Sequence, residues 1–337
     1  MRDMRKAFTI TALAVAAAQA QDLNQTIVGC VDVECPAAAD NVNDNCTVAD
    51  TGSFPVIGLT RVPTDDNDKA LAGLSWVKGF NFTDADGQIR NFHSSFYLGA
   101  PADLSLDSAT GACAVFLHGA SAAISFGGNS SDELAQGTCA DAMGSSCVDA
   151  LVSRARSLVE DYTKDSSNKP SISDVCSRLQ KDLQDSNDDA CARISQGSWN
   201  NFTSAALTGD GAPKAIAQQQ NSSGTCWPII PKQDSLTLVS EYTTNGSQLA
   251  SDQAKAQSAI TPIITVFYPE GNGSLVASVD ASMSCVKIMG PARASLDTIS
   301  NGSNDPDSGA VKFSTSYTWM SAALALTLAT LITSYAV

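Results

Sequence analysis

The sequence predicts an α+β fold: a β-sandwich-like body, jelly-roll or related, with a disulfide-tied helical hairpin inserted into it. Three observations predict it. Two blocks of short runs rich in Val, Ile, Phe, Tyr and Trp, bounded by Gly, Pro, Asp and Asn, flank a middle segment of different period. Within that middle segment apolar residues recur every three or four positions, the stripe of an amphipathic helix. All ten cysteines fall between Cys30 and Cys285, an even number suited to cross-linking.

Taken in order, the chain opens with three basic residues among Met1 to Lys6, an uncharged run from Ala7 to Ala18, and Ala18-Gln19-Ala20. That pattern predicts a secretory signal peptide over residues 1–20, cut after Ala20. Residues 21–50 form a Cys-rich lead with few bulky hydrophobes. Cys30, Cys35 and Cys46 predict that this lead is a loop pinned to the body. The body is expected over 51–295. Its first strands are read in "FPVIGLTRV", "LAGLSWVKGFNFT", "RNFHSSFYLG" and "GACAVFLHGASAAISF".

The helical insertion is expected at about 139–197. Val148, Leu151, Val152, Ala155, Leu158, Val159 and Tyr162 make one stripe. After Pro170, Ser171 or Ser173 can cap a second helix whose Ile172, Val175, Cys176, Leu179 and Leu183 share a face, and which can continue through Ala190 and Ile194. Cys147 opens the first helix, and Cys176 and Cys191 fall in the second, so the spacing predicts a hairpin tied by disulfides. Strands resume in "SLTLVSEYTT", "ITPIITVFYP", "GSLVASVDAS" and "MSCVKIMG", with Asn272-Gly273 as a hairpin cue. Trp76 is expected in the core, and Trp199, beside Asn201, at half exposure.

Residues 296–308 read as a polar stalk. From Tyr317 to Val337 no side chain is charged, and 21 such residues can cross a hydrocarbon core of about 30 Å. A retained span carries Lys or Arg on its cytoplasmic flank, whereas here Lys312 precedes the run. Ser308-Gly309-Ala310, a spacer and the apolar tail instead match a glycosylphosphatidylinositol (GPI) attachment signal, which predicts lipid on Ser308 and removal of 309–337. Asn301-Gly302-Ser303 is the second candidate site. The membrane partner is therefore expected through a lipid anchor.

Between the two processed ends lie 16 basic and 34 acidic residues, a net charge of −18. Such a surface repels phosphate backbones and anionic lipid headgroups, so neither nucleic acid nor an anionic membrane surface is an expected partner. Nine N-x-S/T acceptors, at Asn24, Asn45, Asn81, Asn129, Asn201, Asn221, Asn245, Asn272 and Asn301, predict dense N-glycosylation of solvent-facing chain. The cysteines, at 30, 35, 46, 113, 139, 147, 176, 191, 226 and 285, allow five disulfides, and no pair forms a C-x-x-C.

No motif of chemistry accompanies these features, so no catalytic, cofactor-binding or metal-binding residue is assigned. G-x-S-x-G and H-E-x-x-H are both absent. His93 and His118 lie on expected strands and could meet, but no third ligand is marked. "DADG" at 84–87 and "TDDNDK" at 64–69 cluster oxygen ligands without completing a calcium loop. A carboxylate pair across a cleft, the requirement of a glycosidase, leaves no signature among so many turn aspartates.

The runs "DLNQTIVGCVDVECP", "LSWVKGFNFT", "SSFYLG", "CWPIIPK" and "ITPIITVFYPEGNGSLV" resemble those of GPI-anchored cell-surface and cell-wall glycoproteins of filamentous fungi, over most of the chain. The resemblance implies an extracellular glycoprotein, and it carries over no reaction and no site residue. The expectation is a non-enzymatic structural or adhesive surface protein. Its alternative is a carbohydrate-binding or carbohydrate-active β-sandwich module acting on wall polysaccharide.

Overall fold

The computed structural model describes residues 27–289 except 31, 36–44, 65–68, 86–88, 107–108, 127–134, 165–168, 187 and 196–198. The signal peptide, the stalk, the attachment signal with Ser308, and Asn24, Asn129 and Asn301 lie outside the described residues.

The first strand block begins with a small ribbon, β1 (Cys46–Val48) on β2 (Gly52–Phe54). It continues as β3 (Val56–Arg61), β4 (Ser75–Asp84), β5 (Arg90–Ala100) and β6 (Thr110–Leu117). Five helices follow as α1 (Cys139–Met143), α2 (Ser145–Thr163), α3 (Ile172–Gln184), α4 (Ala192–Ser195) and, later in the chain, α5 (Leu249–Ser258). The remaining strands are β7 (Phe202–Ala206), β8 (Ser235–Gly246), β9 (Thr261–Pro269) and β10 (Asp280–Val286). They assemble as two antiparallel four-stranded sheets, sheet I in the order β3-β4-β5-β8 and sheet II in the order β10-β9-β6-β7.

Alternation along each strand decides what each face meets. Trp76, Phe96 and Leu98 of sheet I interlock with Ala114, Phe116, Ile263 and Phe267 of sheet II. The Trp76 ring stands edge-on to Phe116 at 5.5 Å, and its Nε1 donates to Thr265 Oγ1 at 3.0 Å, so the largest core side chain also has its polar atom satisfied. The other face of sheet II, through Cys113, Val115, Leu117, Ile264 and Val266, receives Leu151, Val159, Val175 and Leu179 from α2 and α3. On the far side of sheet I, Leu59, Val77 and Tyr97 are covered by Val33, Phe54, Trp227 and Ile229. The result is a β-sandwich with a helical layer on one side and the Cys-rich lead on the other, the α+β class expected.

The helices begin where the sequence allows. Ser171 Oγ accepts from Asp174 N at 3.1 Å and caps α3, while Thr138 and Asp141 form a reciprocal capping box on α1. Among the described residues no helix is long and apolar enough to cross a membrane.

Three disulfides bind the helical layer. Cys113–Cys176 joins β6 to α3 (Cα–Cα 5.4 Å), Cys139–Cys285 joins α1 to β10 (5.0 Å), and Cys147–Cys191 joins α2 to the 3-10 turn Asp189–Cys191 (4.8 Å). All three separations lie in the disulfide range. The predicted tie within the hairpin is thus Cys147–Cys191 alone, because Cys176 sits on the face of α3 turned to the sheet.

Several expectations are corrected. The second helix does not run on through Ile194: it stops at Gln184, and the chain resumes as the 3-10 turn and α4. "GSLVASVDAS" is mostly connection, so Asn272-Gly273 sits in a long loop between β9 and β10 rather than in a two-residue hairpin turn. Trp199 is buried, 6 % exposed, against Phe202 at 5.5 Å. Strand β7 escapes a search for bulky runs. It is a short edge of Thr, Ser and Ala held by Gln180 of α3, whose Nε2 donates to Phe202 O at 3.0 Å and whose Oε1 accepts from Ser204 Oγ at 2.9 Å.

Replacing Cys113 and Cys176 together by Ala reopens a 63-residue separation. The expected loss is about 4 kcal/mol, read as a lower urea midpoint with the strand signal retained in far-UV circular dichroism.

Candidate functional site

At one end of the sandwich, α5 and the start of β9 border a gap between the two sheets. A cleft of about 280 Å³ remains, walled by Phe80, Phe92, Tyr242, His118, Lys78 and Thr261, with Asn245, Asp252 and Lys255 among its polar lining. Arg90 fixes the helix over it. Its Nη1 donates to Gln253 Oε1 of α5 at 2.8 Å, its Nε and Nη2 bind Asp84 Oδ1 at 2.9 and 2.8 Å, and its guanidinium lies 4.6 Å from the Phe82 ring centre. Asp84, one of the candidate calcium ligands, is therefore an ion-pair partner of Arg90; residues 65–68 and 86–88, which complete the two candidate loops, lie outside the described residues.

Lys78 is the unusual member of this cleft. It follows the inward phase of Trp76 and Phe80 on β4, so its amine enters the space between the sheets and is 1 % exposed. Nζ donates to Ala259 O at 2.8 Å and to Thr261 Oγ1 at 3.3 Å. Burial pushes its pKa down from 10.5 to about 7, since the charged form is desolvated. His118 follows β6 in a 3-10 turn (His118–Ala122) rather than on a strand. Its ring lies parallel to Tyr242 at 3.8 Å and to Phe116 at 5.9 Å, bridging the sheets, and Nε2 meets Thr203 Oγ1 at 3.1 Å. Burial first, and the Lys78 charge second, push His118 down to about 3, so it is a neutral imidazole at neutral pH.

The two histidines do not meet. His93 occupies the opposite face of sheet I, between Thr83 at 2.9 Å and Thr243 at 3.0 Å. Among the described residues Asp252 is the one carboxylate lining the cleft, whereas glycoside hydrolysis takes two. Chemically the cleft offers ring faces, hydroxyls and an amine already bonded to two acceptors.

The remaining cysteines gather beneath the lead. Cys46 and Cys226 form a disulfide with Cα atoms 4.9 Å apart, Cys35 Sγ stands 3.0 Å from Cys46 Sγ and also contacts Cys226, and Cys30 lies buried beside them. Cys35, Cys46 and Cys226 are the only group of three or more potential metal ligands that converges among the described residues. Reduced, three thiolates at this spacing would suit a soft cation; oxidised, the same sulfurs pin the lead to the 226 segment. Lys232 reinforces that pin by donating to Val33 O and to Trp227 O.

Of the predicted acceptors, Asn45, Asn201, Asn245 and Asn272 are exposed, and Asn81 and Asn221 are half-buried. Asn221 is also structural. Its Oδ1 accepts from Ala49 N, and its Nδ2, the atom that would carry a glycan, donates to Cys226 O at 2.8 Å.

The chain matches no protein-family model, no curated protein and no solved structure in three comparisons.

Lys78 and His118 each bind protons less readily folded than unfolded, so stability rises with pH across each window. For Lys78 the window runs from about pH 7 to 10.5, and for His118 from about 3 to 6.5. Urea midpoints of the wild type relative to Lys78→Met should therefore climb between pH 7 and about 9.5. Relative to His118→Phe they should fall as pH drops from 6.5 toward 3. Parallel pH profiles for either pair would contradict the corresponding burial.

Proposed function

We propose that this chain is a secreted, N-glycosylated and GPI-anchored glycoprotein of the cell surface or cell wall, with a structural or adhesive role. The observation that carries this reading is the set of disulfides that bind the helical layer, two crossing to sheet II, Cys113–Cys176 and Cys139–Cys285, and one within the layer, Cys147–Cys191. Such bonds form and persist in oxidising compartments. The signal-peptide pattern over 1–20 supplies the route, and Ser308-Gly309-Ala310 before an apolar tail supplies lipid attachment at Ser308. Exposure of Asn45, Asn201, Asn245 and Asn272 supports glycosylation, since a bulky glycan needs solvent. The strongly acidic surface favours solubility in a crowded wall and disfavours anionic partners.

A polysaccharide-binding module is the second reading. It is favoured by one feature at the other end of sheet I, the buried Asp234 Oδ2, which meets no donor among the described residues.

Two measurements check the first reading. Phosphatidylinositol-specific phospholipase C on intact cells should release a protein ending at Ser308, while retention of a chain that still carries Val337 would overturn the anchor. Alkylation of the native protein without prior reduction should label no cysteine. Quantitative labelling of the six cysteines in these three disulfides would place the chain in a reducing compartment and overturn the reading as a whole.

A further inference from the structure

The end of sheet I opposite the Lys78 cleft holds a second concavity, of about 480 Å³, within the range of roughly 300–1,000 Å³ typical of small-molecule sites. Four chain segments converge there. Arg61 ends β3, Gly73 precedes β4, Pro101 to Asp103 follow β5, and Pro231, Gln233 and Asp234 precede β8. Binding sites built from loops on a rigid sheet have this form, because the strands fix where each loop begins.

Asp234 is the residue that demands explanation. It is 2 % exposed, its carbonyl accepts from Trp227 Nε1 at 2.9 Å, and its N–H donates to Pro231 O at 3.2 Å, so the backbone is locked. Its carboxylate accepts from the Ala102 N–H, yet Oδ2 is buried and meets no donor among the described residues. A buried acceptor left without a donor costs about 1–3 kcal/mol, and more when charged. The nearest cation does not remove that cost. Arg61 directs Nη1 to Gly73 O and Nη2 to Ile230 O, the latter at 2.9 Å. Burial raises the affinity of Asp234 for a proton, Arg61 opposes this and Asp103 adds to it.

The lining selects among ligands. The Arg61 guanidinium beside Asp234 disfavours a metal cation, and two aspartates disfavour an anion. A neutral ligand with several hydroxyls suits every part: O–H groups donate to Asp234 Oδ2 and to Asp103, the Gln233 amide and the uncommitted N–H groups of Arg61 donate to ring oxygens, and Pro101 and Pro231 offer apolar faces to C–H groups. We propose that this pocket is a binding site for a neutral saccharide unit, with Asp234 as the central acceptor. It would give the surface glycoprotein its adhesive contact, but it does not depend on the lipid anchor, and either can fail alone.

Isothermal titration of the intact secreted protein with chitopentaose, a β-1,3-glucan pentasaccharide and mannopentaose tests it. At least one should bind with Kd below about 1 mM. Asp234→Asn should weaken that binding about tenfold or more, since it exchanges a charged acceptor for a neutral one. Asp103→Asn and Gln233→Ala, at the exposed rim, should weaken it by smaller factors at unchanged melting temperature, which keeps the test decisive even where Asp234→Asn folds poorly. Lys78→Met, in the opposite cleft, should leave it unchanged. No binding to any of the three sugars at about 1 mM, or binding that ignores both rim variants, overturns the proposal.

Discussion

Strand β6 has no solvent face, and the rest of the architecture answers to that constraint. All eight of its residues are buried, so it must be covered twice. Ala112, Ala114 and Phe116 point toward sheet I, and Cys113, Val115 and Leu117 point toward α2 and α3. The small residues on the inner face make room for Trp76 and Phe96, large against small, as dense packing requires. On the outer face the helices contribute Leu151, Val159 and Leu179, each worth about 1.5–3 kcal/mol when fully buried. Neither helix would be stable alone in water at its length, so the insertion exists because the sheet gives it something to cover. Cys113–Cys176 then makes the same contact covalent.

The ends of such a sandwich are where the packing problem is not solved by apolar residues. Backbone groups that face a gap between sheets need partners, and polar side chains must reach them. Lys78 does this for Ala259 O, and the His118 ring fills the space between Tyr242 and Phe116. Burying an amine is unfavourable, and its lowered pKa reports that cost. A chain cross-linked over separations of 44 to 180 residues tolerates it, because the unfolded ensemble it competes with has lost conformational freedom. A close approach completes the seal. Gly58 lies directly under the Lys287 carbonyl where the chain leaves β10, and a Cβ there would collide with it.

What the sequence disclosed and what it withheld divide along physical lines. Periodicity located α2 and α3 because their stripes of Leu, Val and Ala are local properties of the chain. The strands β3 to β6, β8 and β9 were legible for the same reason, as bulky runs between turn residues. Strand β7 was not, because Phe202–Ala206 owes its conformation to β6 and to Gln180, both distant in sequence. Helix α5, polar and rich in Ala, Ser and Gln, shows little amphipathic pattern and is held by Arg90. Disulfide pairing is a tertiary property, and ten cysteines admit far too many pairings for spacing to choose. Lys78 did leave a trace: a lysine in phase with Trp76 and Phe80 breaks the alternation of an inward face. Asp234 left none, since "PKQDSL" reads as an ordinary turn and its burial depends on Trp227, Ala102 and the end of β3.

The two ends of sheet I can therefore be compared directly. At the Lys78 end the buried charges are answered from within the fold, Lys78 by Ala259 O and Thr261 and Arg90 by Asp84 and Gln253, and the imidazole is neutral. The more exposed Lys255 and Asp252 stand 3.8 Å apart. At the Asp234 end the fold supplies a donor to one carboxylate oxygen only and holds the neighbouring guanidinium on backbone carbonyls instead. A buried carboxylate oxygen without a donor costs about 1–3 kcal/mol, and more when charged. In this locked, concave setting a hydroxyl-donating ligand is the partner that would make that cost recoverable.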